Sequence, residues 1–464
     1  MGEFGNERVV TDDVDLEILY GLTADLVRET LAAIGAQDRA RLKELIEPLH
    51  AADVADLFQA LSGYNRIRLE KLLGDDLEAE VFVHLDEAVR EDLIDELNAD
   101  ELVKVVNELD SDDAVELIEE LAEEERRALL ERISDADRLL YEQALGYPED
   151  SAGRLMRREY AAIPSIWKAG QAIDFMRDDP SVPENFYGLF VVGPDNKPLG
   201  VVMASQLLRT HRPVAVTEIM APEIRLIPVT MDQEDVAFLF RQYGLVEAPV
   251  IDEDGRIIGV ITVDDVVDVI HEEHEEDMLK LGGVAVDDLY EAVADTIRSR
   301  LSWLVLNLLT AILASIVIGF FQAEIEKVVA LAVLMPIVAS MGGNAGTQTL
   351  TISVRALAMK ELTPDNALRI VGKEILVGGI NGMAFAMLIC VIAYFWFDDL
   401  MIGIVIGIAM VVNLLVAGLA GILIPLAINR AGADPAVGSS ILLTTVTDVV
   451  GFLCFLGLAA IVLF

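Results

Sequence analysis

Basic residues and cysteines are scarce in this chain of 464 residues. It has 34 Lys and Arg against 78 Asp and Glu, a net charge of −44. So acidic a surface repels phosphate backbones, and we therefore expect no nucleic-acid partner. The two cysteines, Cys390 and Cys454, both lie in apolar runs, which excludes a disulfide scaffold and a cysteine-based zinc site. The polar start, Met1 to Ile18, offers no signal peptide, so we expect the acidic region to stay in the cytoplasm.

The charge is not spread evenly along the chain. Although 53% of the residues are hydrophobic and the mean hydropathy is +0.45, residues 1–300 hold 69 acidic and 28 basic residues, against 9 and 6 in residues 301–464. The sequence therefore predicts an acidic soluble region followed by a membrane domain. Adaptation to high salt is a second explanation for the acidity, because 9 of the 34 basic residues are lysines.

Five apolar stretches are each long enough to cross a bilayer about 30 Å thick. They are residues 301–321, 328–358, 370–397, 400–428 and 437–464. Basic residues gather at the connections on one side, whereas Glu324, Glu326, Asp398 and Asp399 lie on the other. The positive-inside rule places the N-terminus and the loops 359–369 and 429–436 in the cytoplasm and the C-terminus outside the plasma (inner) membrane.

The fifth span contains a carboxylate that a simple membrane anchor does not need. Asp448 lies near its middle, where a charge costs several kcal/mol unless it faces water, a partner or a cation. A helix–helix contact with Thr444 and Thr447 is one explanation. We favour the other, a cation site that lines a pore.

The second span contains an unusual run of glycine and polar residues. Pro336 and the segment 342–349 (GGNAGTQT) predict a broken helix that turns backbone carbonyls, Asn344 and Gln348 toward a wet cavity. Close packing through glycine is the alternative. Asn381 and Asn413 are further polar positions, each a packing contact or a pore lining.

Residues 49–121 repeat with a period of 12. Leucine recurs at 49, 61, 73, 85, 97, 109 and 121, and an apolar residue follows eight positions after each of the first six. Two helical turns plus a tight corner fit twelve residues, and Asp86, Asn98, Asp110 and Ser111 stand where N-caps belong. We predict an all-α superhelical stack of short helices.

Two copies of a helix–strand–strand–helix pattern follow. Their hairpins span residues 188–202 and 248–262, with helices predicted at 168–178, 205–210, 232–243 and 264–275. The repeat resembles a tandem pair of CBS domains, which are α/β regulatory sensors, some of which bind adenine nucleotides. Thr262 and Asp265 resemble the segment that contacts ribose and phosphate, so ATP is a candidate modulator.

The stretch that joins this pair to the membrane domain is densely acidic. Eight acids occur in the fourteen positions from 264 to 277, interrupted by His271 and His274. Oxygen ligands suit Mg²⁺, Ca²⁺ or Mn²⁺ better than zinc or copper. We also predict a helix over 287–300 that leads into the first span.

In this order, the helical repeat, the CBS pair, the acidic connection and the five spans resemble the MgtE family of magnesium channels and transporters. The most specific motifs are Pro336 with 342–348 (GGNAGTQ), 355–357 (RAL), 433–436 (ADPA) and 445–448 (TVTD). The resemblance implies an N domain at 1–146, CBS domains at 147–212 and 213–277, a plug helix at 278–300 and a pore domain at 301–464. It also implies a homodimer with the pore between its subunits.

The resemblance further implies two sets of Mg²⁺ ligands. In the pore, Asp448 is the selectivity carboxylate that holds a hydrated ion and Asp434 lies near the cytoplasmic mouth. Apart from the resemblance, in which a small apolar residue is expected at 444, Thr444, Thr445 and the region of Asn344 offer the oxygens that a hydrated Mg²⁺ needs. The regulatory set is Glu80, Asp113, Asp232, Glu234, Asp265, Asp268, Glu273, Glu276 and Asp277. Mg²⁺ that bridges these acids closes the pore, and their repulsion without Mg²⁺ opens it.

Three other functions compete with this one. A transporter for Mn²⁺, Co²⁺ or Ca²⁺ fits the same ligands. A membrane-anchored nucleotide sensor fits the CBS pair but leaves Asp448 unexplained. An enzyme is not expected, because the sequence contains no nucleophile–base pair and no Walker loop.

Overall fold

The computed structural model describes residues 22–180, 182–183, 185–284, 293–363 and 366–464. The chain divides into two compact units, one that ends at His271 and one that begins at Glu272.

The first unit begins with a stack of short helices, called the helical stack below. Its helices are α1 (Ala24–Ala36), α2 (Arg39–Ile46), α3 (Ala51–Ala60), α4 (Gly63–Leu73), α5 (Glu80–Val83), α6 (Glu87–Ile94), α7 (Ala99–Glu108), α8 (Ser111–Glu120), α9 (Glu123–Leu130) and α10 (Asp135–Leu145). Seven of them start twelve residues apart or at a multiple of twelve, from 51 to 135, which confirms the predicted period. The repeat that would start at 75 departs from it, with a 3₁₀ turn at Gly74–Asp76 before α5.

The leucines that mark the period form the core of the stack. Leu61, Leu73, Leu85 and Leu121 are buried, and the others pack partly buried against them. Burial of one leucine in each corner is what ties successive short helices together.

The predicted N-caps are correct with one exception. Asp86, Asn98 and Asp110 occupy N-cap positions, and Asn98 forms a capping box with Glu101. Ser111 is not a cap. It is the first residue of α8, and its hydroxyl donates to Glu159 at 2.7 Å.

Two α/β modules of the same topology follow the stack. The first contains α11 (Ala152–Leu155), β1 (Ala162–Pro164), α12 (Ala169–Asp178), β2 (Gly188–Val192), β3 (Pro198–Met203) and α13 (Ala204–Arg209). The second contains α14 (Val216–Ile219), β4 (Ile227–Pro228), α15 (Gln233–Tyr243), β5 (Glu247–Ile251), β6 (Ile257–Thr262) and α16 (Val263–Gly282). In each sheet the first pair of strands is parallel and the second antiparallel, which confirms the internal repeat.

Helix α16 is longer than the sequence predicted. It continues past 275 to Gly282 and crosses the expected domain border between residues 277 and 278. The next described helix, α17, begins at Val293, and the start of the helix predicted over 287–300 lies outside the described residues.

The second unit contains five helices long and apolar enough to cross a membrane, as predicted. They lie within α17 (Val293–Gly319), α19 (Ala330–Ala358), α20 (Ala367–Phe397), α21 (Leu400–Arg430) and α22 (Ser439–Val462), with the short α18 (Gln322–Lys327) between the first two.

The predicted break in the second span is wrong. Helix α19 runs without interruption through Pro336 and both glycines at 342 and 343. Gly342 and Gly346 are buried instead, and a Cβ at Gly346 would lie 2.8 Å from Leu443 Cδ1. The glycines therefore bring neighbouring helices close together, as in the alternative explanation.

Asn413 is a packing residue of this bundle. It is fully buried, and its Nδ2 donates to the carbonyl of Val338 at 2.9 Å. It lies between Gly342 and Gly451, where an added Cβ would come within 2.2 Å and 2.9 Å of its Nδ2.

Candidate functional site

Helix α22 carries a polar face with Asp448 near its middle. Thr444 is exposed, and Thr445 and Asp448 are half-buried. The hydroxyls of Thr444 and Thr445 donate to main-chain carbonyls of their own helix at 3.0 Å and 2.6 Å. Residues 444 and 448 lie one above the other because four residues separate them.

The Asp448 carboxylate has no hydrogen bond or ion pair within the described part of the chain. The contact with Thr444 and Thr447 is not made, because Thr447 donates to the carbonyl of Leu443 at 3.1 Å and Thr444 to that of Ser440. The alternative explanation, in which Thr444 and Thr447 are the partners of Asp448, is therefore wrong for the described residues of the single chain.

Helix α19 presents a second polar face. Five polar residues at helical spacing are exposed on it: Ser340, Asn344, Thr347, Gln348 and Thr351. The Asn344 Nδ2 donates to the Ser340 hydroxyl of the same helix at 3.4 Å. Because α19 and α22 pack against each other, the two faces belong to neighbouring helices of one bundle.

The end of α16 lies against the loop that precedes α22. Lys280 Nζ is 2.9 Å from Asp434 Oδ2, and Lys280 also pairs with Glu276. Burial raises the pKa of Asp277, and the neighbouring Asp434 carboxylate raises it further. The structure thus brings Glu276, Asp277 and Asp434 together around one lysine, whereas Glu273 lies three residues earlier on the same helix.

This end of α16 is also anchored by apolar contacts. Leu281 packs against a cluster formed by the second, fourth and fifth spans and the loop before the fifth, namely Leu350, Val354, Ala420, Ala436 and Leu443. We call residues 272–282 the plug segment. It is docked on the membrane bundle in this structure.

In the first unit, three carboxylates meet at the start of α8. One oxygen each of Asp110, Asp112 and Asp113 lies within 4.8 Å of the others, close enough to hold one metal ion. Asp112 is 7% exposed, and its Oδ1 has no hydrogen-bond partner among the described residues. Such a set of carboxylate oxygens suits a hard divalent cation.

Arg157 joins these acids to the start of α16. Its Nε lies 2.9 Å from Asp112, Nη1 3.1 Å from Asp110, and Nη2 2.6 Å from Asp265 and 3.5 Å from Asp264. We call these four carboxylates, together with Asp113, the acid cluster. Its members are Asp110, Asp112, Asp113, Asp264 and Asp265.

Burial makes three members of the acid cluster, Asp112, Asp113 and Asp265, costly to ionise. It raises the pKa of Asp113 to about 7, against the opposing effect of Arg157. Burial also raises the pKa of Asp112 and of Asp265, and neighbouring carboxylates add to both shifts. A bound cation stabilises the ionised form of such buried carboxylates more than that of exposed ones.

The other predicted regulatory residues have different surroundings. Burial raises the pKa of Asp268 and the charge of His84 opposes this, while His84 lies 4.0 Å from exposed Glu80. Asp232 caps α15 by accepting from the amide of Glu234 at 2.9 Å, and both are exposed.

The two residues predicted to contact ATP bind each other. The Thr262 hydroxyl donates to Asp265 Oδ2 at 2.6 Å, and the other Asp265 oxygen accepts from Arg157.

Sequence reasoning missed the two cations of these sites, Arg157 and Lys280. Asp112 and Asp264 were also not singled out as ligands. The available signal was the adjacent pair Arg157–Arg158 in a region with so few basic residues.

Three family models match parts of this chain. A model of the MgtE divalent cation transporters matches residues 335–458, one of the MgtE intracellular N domain matches 49–150, and one of the CBS domain matches 216–272. These domains define a membrane protein of the divalent cation transporter class.

Two similar proteins are magnesium transporters. The magnesium transporter MgtE of Thermus thermophilus is 32% identical over 437 residues, 93% of this chain and 97% of the relative. That of Enterococcus faecalis is 32% identical over 319 residues, 69% of this chain and 70% of the relative. The chain belongs to the MgtE family.

A solved structure also matches the soluble part. The crystal structure of the cytosolic domain of the Mg²⁺ channel MgtE in complex with ATP is 30% identical, with a TM-score of 0.49, and covers 52% of this chain and 99% of that one.

Proposed function

We propose that this protein conducts Mg²⁺ across the plasma (inner) membrane through a pore lined by the polar faces of α19 and α22. One observation carries the proposal: the Asp448 carboxylate lies in a membrane-spanning helix without a protein partner among the described residues. A carboxylate at that depth requires water or a cation.

The ligands suit a hydrated divalent ion. Mg²⁺ gives up its water reluctantly, so a pore that keeps its shell must offer hydrogen-bond acceptors around it. Asp448 supplies charge, while Thr444, Thr445 and Asn344 supply polar groups at the same faces. Mn²⁺, Co²⁺ and Ca²⁺ use the same donors, and the experiment below separates them.

A second copy of the chain completes the pore in this proposal. The polar face of α19 (Ser340, Asn344, Thr347, Gln348 and Thr351) is exposed in the single chain, and exposure of such a face to lipid is costly. Two copies that place these faces together would bury them around water. We also propose that the N-terminal domains are cytoplasmic and the C-terminus is outside, since the positive charge lies at the corresponding loops.

We further propose that cytoplasmic Mg²⁺ closes the pore. Ions that bridge the acids of the plug segment and Asp434 bind best when these groups are close together, so they favour the closed arrangement, and ions held within the acid cluster act in the same way on the groups around it. The contacts of Glu276, Asp277 and Asp434 around Lys280 support this role.

ATP stays a prediction for Thr262 and Asp265. A ribose hydroxyl that reaches Asp265 would compete with Thr262 and Arg157, each of which donates to one of its two oxygens. ATP binding that is stronger in Arg157→Gln than in wild type is the expected sign of that competition.

Ion flux into liposomes tests the proposed transport. Purified protein is reconstituted, and uptake of Mg²⁺, Ca²⁺, Mn²⁺ and Na⁺ is compared at equal driving force. Mg²⁺ uptake that exceeds Ca²⁺ and Na⁺ uptake is expected. Preference for Mn²⁺ or Ca²⁺ would assign another substrate, and no uptake of any ion would favour the anchored sensor.

A further inference from the structure

Helix α20 carries a carboxylate that the proposed pore does not use. Glu374 is half-buried and lies in the first third of α20, the third membrane-spanning helix. A carboxylate in a membrane-spanning helix is costly unless it has a partner, so its partner indicates its role. The structure gives it Thr349 of α19, whose hydroxyl donates to Glu374 Oε2 at 3.1 Å.

The Thr349 hydroxyl makes a longer contact with its own helix than its neighbours do. Three other hydroxyls of α19 donate to main-chain carbonyls of the same helix at 2.9, 3.0 and 2.8 Å, namely those of Thr347, Thr351 and Ser353. For Thr349 the corresponding distance, to the carbonyl of Ala345, is 3.4 Å. A hydroxyl has one proton to donate, and a carboxylate accepts the stronger hydrogen bond. The Thr349 proton therefore belongs to Glu374.

Helix α21 packs closely against both partners of this bond. A Cβ added at Gly421 would lie 2.8 Å from Thr349 Cβ and 2.9 Å from the carbonyl oxygen of Gly346. One added at Gly418 would lie 3.4 Å from the carbonyl oxygen of Glu374. Glycine thus brings three helices together around the bond, and Thr349 is buried there. In such surroundings a polar contact is stronger than it is in water.

The bond lies on the side of α19 that faces away from its polar face. At 3.6 residues per turn, Thr349 is about 160° around the helix from both Thr347 and Thr351. These two belong to the exposed polar face that we propose as a pore lining. A contact on the buried side fixes the rotation of α19 about its axis, and therefore fixes which groups its other side presents.

We propose that Glu374 is a positioning residue of the transport path: it accepts the Thr349 proton and so holds α19 in the rotation that turns its polar face to the pore. The inference rests on the proposed pore. Without the bond, the helices stay packed through their glycines but α19 can turn, so that its polar groups no longer all face the ion. Discrimination between ions should then fall while the fold is kept.

Uptake of Mg²⁺ and Na⁺ into liposomes tests the effect on selectivity. Thr349→Val removes the donor and keeps the shape, Glu374→Ala removes the acceptor, and Glu374→Gln keeps an acceptor oxygen. The ratio of Mg²⁺ to Na⁺ uptake should fall at least about fivefold in Thr349→Val and in Glu374→Ala, and less than about twofold in Glu374→Gln. The double variant of Glu374→Ala and Thr349→Val should fall no further, because each change removes the same bond.

Ser353→Ala is the matched control. Ser353 is buried, as Thr349 is, and lies one turn further along α19, but its hydroxyl bonds within its own helix. Its removal should leave the ratio of Mg²⁺ to Na⁺ uptake as in wild type.

Thiol labelling measures the rotation of α19 independently of transport. Thr347→Cys places a thiol on the exposed polar face, where a charged, water-soluble thiosulfonate reagent reaches it through water. The parent chain, with its native Cys390 and Cys454, gives the background. Labelling of Thr347→Cys should be slowed at least about fivefold when Thr349→Val is added, and should be unchanged when Ser353→Ala is added.

Several results would overturn the proposal. Unchanged labelling after Thr349→Val would do so, as would unchanged selectivity. Loss of Mg²⁺ uptake in Glu374→Gln with normal uptake in Thr349→Val would also do so, since it would make Glu374 an ion ligand instead. If Glu374→Ala does not fold, Thr349→Val and Glu374→Gln decide. If wild type does not prefer Mg²⁺, the proposed function fails, whereas labelling still decides the role of Glu374.

Discussion

Lys280 and Asp434 form an ion pair, with 2.9 Å between Nζ and Oδ2, that ties the last turn of α16 to the loop before the fifth membrane helix. Lys280 also pairs with Glu276, and Asp277 lies close by. A single lysine therefore holds together acids that repel one another. Three carboxylates surround this one ammonium group, so the group keeps a net negative charge that attracts a divalent ion.

Removal of this lysine should make plug docking depend on Mg²⁺ more strongly. In Lys280→Gln, the acids around it lose their internal cation, so the plug segment should be cleaved by protease in EDTA faster than in wild type. Millimolar Mg²⁺ should protect both proteins. Limited proteolysis with mapped cleavage sites measures this.

Two outcomes would contradict that account. Equal cleavage of wild type with and without Mg²⁺ would show that ions do not bridge these acids. Protection by monovalent salt alone would instead favour adaptation to high salt as the reason for the acidity.

The plug segment should control closure without affecting permeation. Replacement of Glu273, Glu276 and Asp277 by Ala removes three carboxylates but leaves Asp448 untouched. The variant should still conduct Mg²⁺ and reject Na⁺, yet stay open at cytoplasmic Mg²⁺ that closes wild type. Loss of bridging should outweigh the loss of repulsion, because repulsion between solvated acids is screened within about 8 Å at physiological salt. Open probability against cytoplasmic Mg²⁺ measures it, and an unchanged dependence would show that the segment is not the gate.

Two adjacent glycines of α19 should tolerate substitution very differently. A Cβ at Gly342 would meet Asn413 Nδ2 at 2.2 Å, whereas nothing lies within 4 Å of one at Gly343. Asn413 cannot move aside without losing its bond to Val338. Gly342→Ala should therefore cost about 1–3 kcal/mol by overpacking.

The melting temperature of the solubilised protein measures this difference. Gly343→Ala is the matched control and should melt close to wild type. Equal melting temperatures for the two variants would show that the close approach at Asn413 does not constrain the bundle.

Glu247 should make the first unit less stable as pH rises. Burial raises its pKa to about 7 from 4.5, although the amides of Gly188 and Tyr187 donate to it. The folded state therefore binds the proton more tightly than the unfolded state, and the stability that this provides below pH 4.5 is lost as pH rises through 7. A shift of this size corresponds to at most about 3 kcal/mol.

Thermal unfolding in EDTA from pH 5 to 8 tests the sign. Wild type should melt lower at pH 8 than at pH 5. Glu247→Gln should show a smaller change, since its amide does not titrate, and Glu253→Gln, in an exposed turn, should behave as wild type. An unchanged slope in Glu247→Gln would refute the assignment.

Features that repeat along the chain were predictable from the sequence. The 12-residue period, the two α/β modules and the five spans each follow from local patterns of apolar residues and turns. Strands β1 and β4 were missed because segments of three and two residues carry no alternation.

Contacts between distant residues were not predictable in this way. Arg157 lies 47 residues from Asp110 and 107 from Asp264, and such a pair leaves no periodic signal. The prediction of a helix break at Pro336 was wrong for a related reason. Whether glycine opens a helix or lets another helix approach depends on its neighbours, here Asn413 and Leu443.

The central claim is that Asp448 lines a Mg²⁺ pore, and one flux comparison tests it most directly. Mg²⁺ uptake into liposomes is measured for wild type, Asp448→Asn, Asp448→Ala and the control Asp398→Asn, which changes an acid at the end of the third span. Both Asp448 variants should fold, since removal of an intramembrane carboxylate relieves a cost, and should lose Mg²⁺ uptake. The control should transport as wild type does. Normal Mg²⁺ uptake by Asp448→Ala would contradict the account.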